Sequence, residues 1–239
     1  PDPEEVKVSD LADLTTTPHS YFTADTEAKR NDLARLLRSQ SSFAFDTETD
    51  GVDPLTAHLV GMSFAINEYE AWYVPLPADT EETKRIIAPF AEALQHPAIE
   101  KVGQNIKFDL LMLRRYGIQV AGPLFDTMIA HYLLNPELRH NMDYLAETYL
   151  RYRPIPIDRL IGARGKGQLS MRDVPVEKVS EYAAEDADVT LRLKNLFAPQ
   201  LLDGGFDALF RDIEMPLIYV LADMELSGVT LDTKALKQS

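Results

Sequence analysis

The sequence predicts an α/β domain, or an α+β variant of it, built on a mixed β-sheet, because extended runs come first and helical and extended runs then alternate. Three consecutive runs are predicted strands: 43–49 (FAFDTET), 59–66 (LVGMSFAI) and 71–76 (AWYVPL). The segments GVDP and NEYE between them supply turn-forming residues. Short connections of this kind favour an antiparallel meander.

Helical segments dominate the rest of the chain. A helix is predicted over 80–96, with Asp79 as its cap and Glu82 three residues later in a capping-box pattern. A second helix is predicted over 105–116 and should end at Gly117, a favourable residue after a helix. The remaining predicted elements are a short strand over 101–103 and helices over 126–134, 142–151, 175–197 and 206–226.

The composition is that of a globular protein and excludes several kinds of site. The 239 residues are 45% hydrophobic and 26% charged. Cysteine is absent, which excludes disulfides and thiolate zinc sites. No apolar run approaches the length that spans a membrane. The acidic opening PDPEEVKVSDL lacks methionine, so we expect a cut fragment there rather than a signal peptide.

Charge is distributed unevenly along the chain. The formal net charge of −14 argues against a nucleic-acid ligand unless divalent cations neutralise part of the acid. The segment 151–168 differs from the rest, since it holds five basic residues and one acid. Its three glycines and two prolines predict a long loop. Charge alone leaves two interpretations of this loop open, a solvated surface and a contact with phosphate.

Several carboxylates fall where apolar side chains are expected. On the first predicted strand, Phe43 and Phe45 point to one face, whereas Asp46 and Glu48 point together to the other. On the helix over 105–116, Asp109 lies inside the apolar stripe that should face the core. Each anomaly alone is compatible with a buried salt bridge, so their number is the informative observation.

A fourth acid completes the pattern. Asp186 lies in the middle of the apolar stripe of the helix over 175–197, one turn after Tyr182 and on the same side. Each pair of like charges roughly 5 Å apart costs about 3 kcal/mol at an effective dielectric constant near 20. Two divalent cations would balance four carboxylates, and oxygen ligands indicate Mg²⁺ or Mn²⁺.

Two hard cations on carboxylates suit in-line displacement at phosphorus, because they activate water and stabilise the attacking and leaving oxygens. Tyr182 would be un-ionised near neutral pH, since the reference pKa of tyrosine is about 10. It can therefore orient a water molecule but is a poor base. The residues thus predict phosphodiester hydrolysis without fixing the sugar or the polarity.

Three motifs in order resemble those of the exonuclease superfamily that is defined by four acidic residues, in its tyrosine-bearing subclass. They are DTETD at 46–50, VGQNIKFD at 102–109 and YAAED at 182–186. A single Asp-x-Glu or Tyr-x-x-x-Asp is weak, but the ordered set in this structural context is specific.

The likeness is broader than these motifs. The segments FDTMIAHYLLNP, MDYLAETYL, GARGKGQLS, YAAEDADVTLRL and IEMPL…LADMELSGVTLD resemble bacterial family A DNA polymerases, the last of them the opening of the polymerase portion. We therefore expect an exonuclease domain over 1–203 and the incomplete start of a polymerase domain over 204–239.

The resemblance also implies a fold and an activity. It implies an RNase H-like sheet flanked by helices, and removal of nucleoside 5′-monophosphates from single-stranded or frayed DNA 3′ ends. The biological setting would be proofreading during DNA replication and repair. The expected partners are the DNA 3′ end and the remainder of the same polymerase chain, in a monomer of the bacterial cytoplasm that associates with the nucleoid and not with a membrane.

By the family's roles, Asp46, Glu48 and Asp186 would hold the metal that binds the attacking water. Asp46 would also bridge to a second metal, which Asp109 would support mainly through water. Glu48 and Tyr182 would position the nucleophile. The resemblance also assigns the terminal nucleotide to Gln104 and Asn105, and we expect Arg164 and Lys166 to contact the DNA backbone.

Other conspicuous residues have ordinary structural interpretations. Asp126 is expected to cap the helix that follows it, and Asp188 to pair with Arg192 one turn later. We expect turn roles for Asp50 and Asp53, no metal binding by His131 and His140, which are not at metal-ligand spacing, and a core position for Trp72.

Two other functions compete with the leading one. An RNA 3′ exonuclease of the ribonuclease D type would carry the same acids, although the polymerase-like C-terminal segment argues against it. A catalytically dead domain that serves as a scaffold or binds single strands would be expected to lack some of the acids. None of the four is missing here.

Overall fold

The chain folds around a six-stranded mixed sheet, which a computed structural model describes together with its helices over residues 11–165, 167–233 and 237. The strands are β1 (Ser20–Thr23), β2 (Ser42–Thr49), β3 (Leu59–Asn67), β4 (Glu70–Pro75), β5 (Glu100–Gly103) and β6 (Leu124–Asp126). They lie in the order β1-β4-β3-β2-β5-β6. The pairs β2–β3 and β3–β4 are antiparallel, and β1–β4, β2–β5 and β5–β6 are parallel. The predicted mixed sheet and its meander are confirmed.

Helices cover the sheet and connect its strands. They are α1 (Glu27–Arg38), α2 (Thr80–Ile87), α3 (Ala91–Leu94), α4 (Lys107–Arg115), α5 (Thr127–Leu134), α6 (Met142–Leu145), α7 (Asp158–Ile161), α8 (Val176–Asp203), α9 (Asp207–Leu209) and α10 (Met215–Ser227). Single turns of 3₁₀-helix occur at Ala88–Phe90 and Met171–Asp173, and π-helical turns at Ala146–Leu150 and Phe210–Glu214.

Several predicted helices differ from the structure. The helix predicted over 80–96 is divided into α2, a 3₁₀ turn and α3, and the helices predicted over 142–151 and 206–226 are each interrupted by a π-helical turn. Two boundaries also differ. The helix predicted from 105 begins at Lys107, because Asn105 adopts a left-handed backbone conformation with φ of 60°. Its end is as predicted, since Gly117 follows with φ of 87°. The long helix α8 continues to Asp203 instead of ending at 197.

Sequence analysis missed the first strand and the first helix. β1 has four residues, and its hydrogen-bonded partner β4 lies about 50 residues further along the chain, in register Ser20↔Glu70. A strand this short carries little periodicity of its own. Helix α1 does carry a signal, because the side chain of Thr26 caps it by accepting a hydrogen bond from the backbone N–H of Lys29.

The sheet has a helix-covered aromatic face and a helix-covered small-residue face. Phe45 and Phe64 pair across β2 and β3, and Phe64 stacks on Phe90 at 5.2 Å between ring centroids. On the other face α8 lies across the central strands. Ala183 and Ala187 of α8 are fully buried, and their small side chains let the helix approach the sheet closely.

The C-terminal helices pack on the same body. The rings of Phe125 in β6 and Phe210 pack with their centroids 4.8 Å apart. The hydroxyl of Tyr219 in α10 donates to the carbonyl of Gly122 at 2.9 Å. The domain boundary after residue 203 therefore stays a prediction from sequence. Within the described ranges, no helix has the combination of length and apolar composition that a membrane crossing requires.

Candidate active site

Three carboxylates converge between the sheet and α8. Asp46 and Glu48 project from the same face of β2, as the strand period predicts, and Asp186 projects toward them from α8. One oxygen from each lies within 4.8 Å of the others. Glu48 and Asp186 are buried, whereas Asp46 is partly exposed. The cluster therefore has an opening at Asp46.

The position of Glu48 depends on a close contact beneath it. Glu48 pairs with Gly61 across β2 and β3, and the ring of Tyr73 occupies the space where a side chain at Gly61 would be. A Cβ there would lie 2.2 Å from the Tyr73 ring. Tyr73 is buried, and its hydroxyl donates to the carbonyl of Val60 at 3.2 Å. Sequence analysis missed Gly61 and Tyr73, although a glycine inside a strand signals a close approach of this kind.

The fourth acid, Asp109, lies beside this cluster but is not one of the three acids whose oxygens lie within 4.8 Å of one another. The pairing of β2 with β5 ends at Ala44↔Val102, so the two strands separate before Thr47. Asp109 from the first turn of α4 fills the gap, where its Oδ1 accepts the backbone N–H of Thr47 at 3.0 Å and the Thr47 hydroxyl at 2.5 Å. Burial raises the pKa of Asp109, and the negative charge of the nearby Asp46 raises it further.

Tyr182 stands one turn before Asp186 on α8 and hydrogen-bonds to it. Its ring packs against a small second hydrophobic cluster that includes Val60, Tyr73 and Val179. Burial raises the pKa of Tyr182 far above its ordinary value, and the charge of Asp186 raises it further. The hydroxyl therefore keeps its proton near neutral pH and acts as a donor.

The four carboxylates share an electrostatic problem. Burial raises the pKa of Asp46 to about 7, and it raises the pKa values of Glu48, Asp109 and Asp186 well above the ordinary range, with neighbouring carboxylates adding to the effect. Within the described residues no ion pair reaches any of them. Oε1 of Glu48 is buried and has no hydrogen-bond partner there. An all-oxygen, uncompensated acidic cluster with an unpaired buried oxygen fits a divalent cation.

The residues predicted to contact substrate differ in their exposure and in their hydrogen bonds within the protein. The side-chain amide of Gln104 is engaged at both ends, since Nε2 donates to the carbonyl of His140 at 2.7 Å and Oε1 accepts the hydroxyl of Thr127. Asn105 is exposed. Arg164 is exposed as well, and Lys166 lies outside the described residues. Their contacts with a nucleic acid stay predictions.

The described part of the basic segment 151–168, which omits residue 166, contains regular structure as well as loop. It contains α7, and it is tied to α8 through Glu185, a buried acid that sequence analysis missed. Glu185 accepts hydrogen bonds from the hydroxyl of Tyr152 and from the backbone N–H of Ile155, the latter at 2.7 Å. The loop prediction was therefore wrong for Asp158–Ile161.

The acids given structural roles have them. Asp126 caps α5, and its carboxylate also accepts two further N–H groups from the turn before α4, those of Asn105 and Ile106. Asp188 pairs with Arg192 at 3.7 Å, although both are buried and not at the surface. Asp50 and Asp53 accept backbone N–H groups of the turn that follows β2, from His58 and Leu55.

One aromatic prediction needs correction, and one contact between histidines was not foreseen. His131 and His140, for which no metal binding is expected, have Nδ1 atoms that lie 2.7 Å apart in a hydrogen bond. Trp72 is only partly buried, because it stacks at 5.6 Å on Phe22, which is 46% exposed. The core prediction for Trp72 therefore overstated its burial.

Comparison with known proteins identifies the family. A family model described as a 3′–5′ exonuclease matches residues 21–202. DNA polymerase I of Chloroflexus aurantiacus is 40% identical over 216 residues, which cover 87% of this chain and 22% of that protein. DNA polymerase I of Borreliella burgdorferi is 33% identical over 240 residues, covering 99% and 26% respectively. The chain thus spans about a quarter of the length of these curated relatives.

Solved structures with the same fold include nucleases. Brucella melitensis NrnC with bound Mg²⁺ superposes with a TM-score of 0.68 at 19% identity, covering 89% of this chain and 95% of that one. The POL domain of Pol1 from M. smegmatis, in complex with DNA primer-template and dNTP, gives 0.70 at 19% identity, covering 90% and 34%. These likenesses confirm the RNase H-like fold. Because the family model matches well over half of the 239 residues, the chain belongs to the 3′–5′ exonuclease family that forms part of bacterial DNA polymerase I.

Proposed function

We propose that the chain is a metal-dependent 3′→5′ exodeoxyribonuclease that removes nucleoside 5′-monophosphates from single-stranded or frayed DNA 3′ ends. The observation that carries the proposal is the convergence of Asp46, Glu48 and Asp186 within 4.8 Å, with Oε1 of Glu48 buried and unpaired. Membership of the 3′–5′ exonuclease family supports the polarity. Identity of 33–40% to DNA polymerase I supports DNA as substrate and proofreading as the task.

Two divalent cations, Mg²⁺ or Mn²⁺, are proposed as cofactors. Asp46, Glu48 and Asp186 would hold one of them, and Asp46 with Asp109 would hold the second. Such cations supply an activated water and stabilise the charge on the attacking and leaving oxygens of a phosphodiester. The chain's own contribution is to hold the four acids close together. Burial raises the pKa of each acid and so favours its protonated form.

Glu48 and Tyr182 are proposed to position the attacking water. Oε1 of Glu48 has no partner among the described residues and is available to accept a hydrogen bond from water. Tyr182 keeps its proton because burial raises its pKa, so it can donate a hydrogen bond but cannot remove a proton. The pair would orient the water through the Glu48 oxygen and the Tyr182 hydroxyl, whose proton is directed at Asp186 in this structure.

Substrate binding is proposed for Gln104, Asn105, Arg164 and Lys166. Asn105 is exposed beside the start of α4, and Arg164 lies on the exposed loop after α7. With Lys166 they would contact the terminal nucleotide and the DNA backbone. Gln104 would contribute through its backbone or by holding the His140 segment, since both ends of its amide are engaged.

The wider organisation is proposed from the relatives. Residues 1–203 would form the exonuclease domain, and 204–239 would begin the polymerase domain of the same chain, which is its expected partner. The relatives are bacterial, and we place the monomeric protein in the cytoplasm, at the nucleoid.

The test uses a 5′-labelled single-stranded DNA and an RNA of the same sequence. We expect a ladder that shortens from the 3′ end in Mg²⁺ or Mn²⁺, that disappears with EDTA, and that forms faster on DNA. Faster degradation of RNA would instead support a ribonuclease D-like enzyme. Binding of single strands that survives EDTA, without any turnover, would support an inactive scaffold and contradict the proposal.

A further inference from the structure

The turn that leads from β5 into α4 is held from outside by Asp126. This residue ends β6 and caps α5, and it lies beside Gly103 in the parallel register of β5 and β6. Its side chain is 1% exposed. An N-cap explains only part of its contacts.

The carboxylate of Asp126 accepts four backbone N–H groups that belong to two helix starts. Oδ1 accepts from Met128 at 2.9 Å and Ile129 at 3.3 Å, which is the cap of α5. Oδ1 also accepts from Asn105 at 3.2 Å, and Oδ2 accepts from Ile106 at 2.8 Å. One buried acid therefore accepts N–H groups from the N-cap residue of α4 and the residue before it, as well as those at the start of α5.

The turn before α4 depends on outside support. No side chain of its own caps α4, whose N-cap residue is Ile106. Asn105 adopts φ of 60°, a left-handed conformation that asparagine tolerates better than most residues other than glycine. Thr127, next to Asp126, adds a second contact, because its hydroxyl lies 3.2 Å from the carbonyl of Gly103 and donates to Gln104.

This turn sets the position of two site residues. Asp109 lies three residues after Ile106 in the first turn of α4, where it is buried and joined to Thr47. Asn105 is the exposed residue of the turn itself. A shift of the turn would therefore move Asp109 relative to Asp46, and it would move Asn105 relative to the opening of the site.

We propose that Asp126 is a positioning residue of the exonuclease site, which fixes Asp109 and Asn105 by holding the backbone N–H groups of Asn105 and Ile106. The inference rests on the proposed function, because it assigns Asp109 to the metal site. The Asp126 side chain then has two roles: it caps α5, and it accepts hydrogen bonds from the turn before α4. A substitution can remove the second role and keep the first.

The test is Asp126→Ser in the full chain. Serine is itself a good N-cap, so it can keep the cap of α5, but its side chain is too short to reach Asn105 and Ile106 as well. We expect kcat on single-stranded DNA to fall about 10- to 100-fold, as for other outer partners of metal ligands. We expect Mn²⁺ affinity, measured by calorimetry, to fall as well. The matched control is Asp79→Ser at the exposed N-cap of α2, whose side chain accepts only the N–H of Glu82 among the described residues, and it should leave both quantities unchanged.

Wild-type kcat and Mn²⁺ affinity in a folded Asp126→Ser variant would overturn the proposal. If that variant does not fold, Asp126→Asn, which keeps the size but loses one acceptor, receives the same two measurements with the same criterion. Hydrogen exchange of the wild type supplies a measurement without mutation, since rapid exchange at Ile106 would also overturn the proposal. The calorimetric and exchange results keep their meaning if the wild type fails to degrade DNA, a result that would refute the proposed function instead.

Discussion

Thr47 donates two hydrogen bonds to a single oxygen of Asp109, one from its backbone N–H at 3.0 Å and one from its hydroxyl at 2.5 Å. The contact spans the gap that opens where β2 separates from β5. It joins the strand that carries Asp46 and Glu48 to the helix that carries Asp109. The orientation of the fourth carboxylate is therefore set by the backbone of the strand that holds the first two.

Removing the Thr47 hydroxyl should weaken catalysis without unfolding the chain. Thr47→Val keeps the side-chain shape and the backbone hydrogen bond but leaves Asp109 with one donor in place of two. We expect kcat to fall about 10-fold and the Mn²⁺ concentration for half-maximal activity to rise. Thr47→Ser, which keeps the hydroxyl, is the control and should stay near wild type. Wild-type kinetics in Thr47→Val would show that the hydroxyl has no part in positioning Asp109.

Asp109→Ala should abolish turnover while leaving a folded protein. The variant loses two hydrogen bonds to Thr47, but it also removes a buried carboxyl group whose ionisation is opposed by burial and by the charge of Asp46, and these effects on stability have opposite signs. We expect turnover of single-stranded DNA to fall at least about 100-fold, with a cooperative thermal transition by circular dichroism. A folded variant that retains the wild-type rate would remove Asp109 from the site.

Tyr182→Phe should slow the reaction and leave metal binding intact. The ring keeps its packing against the second hydrophobic cluster, and only the hydroxyl, which donates to Asp186, is lost. We expect a decrease in kcat of about 10-fold with an unchanged Mn²⁺ binding curve. Unchanged kcat would contradict a role for Tyr182 in orienting water. Loss of Mn²⁺ binding would show that Tyr182 also supports the metal site.

Gly61→Ala should disturb the strand beneath Glu48. A Cβ at this position would overlap the ring of Tyr73 at 2.2 Å, and neither the buried ring nor the paired strands can move freely. We expect a loss of about 1–3 kcal/mol in the free energy of unfolding, measured by urea titration. Gly61→Ala in a Tyr73→Leu background removes the overlap and should recover part of that loss relative to Tyr73→Leu alone. Additive effects of the two changes would contradict the steric explanation.

Acid should destabilise the chain through His131. The ring is fully buried, with Nδ1 toward His140 and Nε2 toward the hydroxyl of Tyr149, and burial lowers the pKa of His131 to about 4. An unfolded chain has a histidine pKa near 6.5, so it binds more protons than the folded state between about 6.5 and 4. The stability contributed by neutral His131 is complete above that window and is lost as the pH falls through it, by up to about 3 kcal/mol.

The contribution of His131 is measured as a difference between two proteins. The site carboxylates have raised pKa values and act with the opposite sign, since they favour the folded state as the pH falls. Subtracting the urea-unfolding free energies of His131→Gln from those of the wild type, at pH 7.5 and pH 5, removes that background. We expect the difference to shrink at pH 5. A difference that does not change with pH would contradict a buried neutral His131.

The meander, the four acids and Tyr182 could be predicted because each depends on the spacing of residues within one strand or one helix. Asp46 and Glu48 differ by two residues on a strand, and Tyr182 and Asp186 by four on a helix, so the spacing alone places each pair on one face. The distance between β2 and α8 is set by buried alanines such as Ala183 instead, and no periodicity reports it.

The features that sequence analysis missed depend on contacts between distant segments. The sequence around Asp126 predicts an N-cap. Its hydrogen bond from the N–H of Ile106 forms only because β5 and β6 lie side by side in the folded chain. Glu185 is surrounded by acids in sequence, and its two donors come from Tyr152 and Ile155, about 30 residues earlier. A local pattern can show that such a residue is buried, but it cannot show which distant group satisfies it.

The most direct test of the site compares the wild type with Asp186→Asn on 5′-labelled single-stranded DNA at one Mn²⁺ concentration. Asparagine keeps the shape of the side chain and removes the charge that closes the cluster with Asp46 and Glu48. We expect 3′-end shortening by the wild type and a rate at least about 100-fold lower in the variant, at a similar melting temperature. Equal rates in the two proteins would show that the acidic cluster is not where this chain hydrolyses DNA.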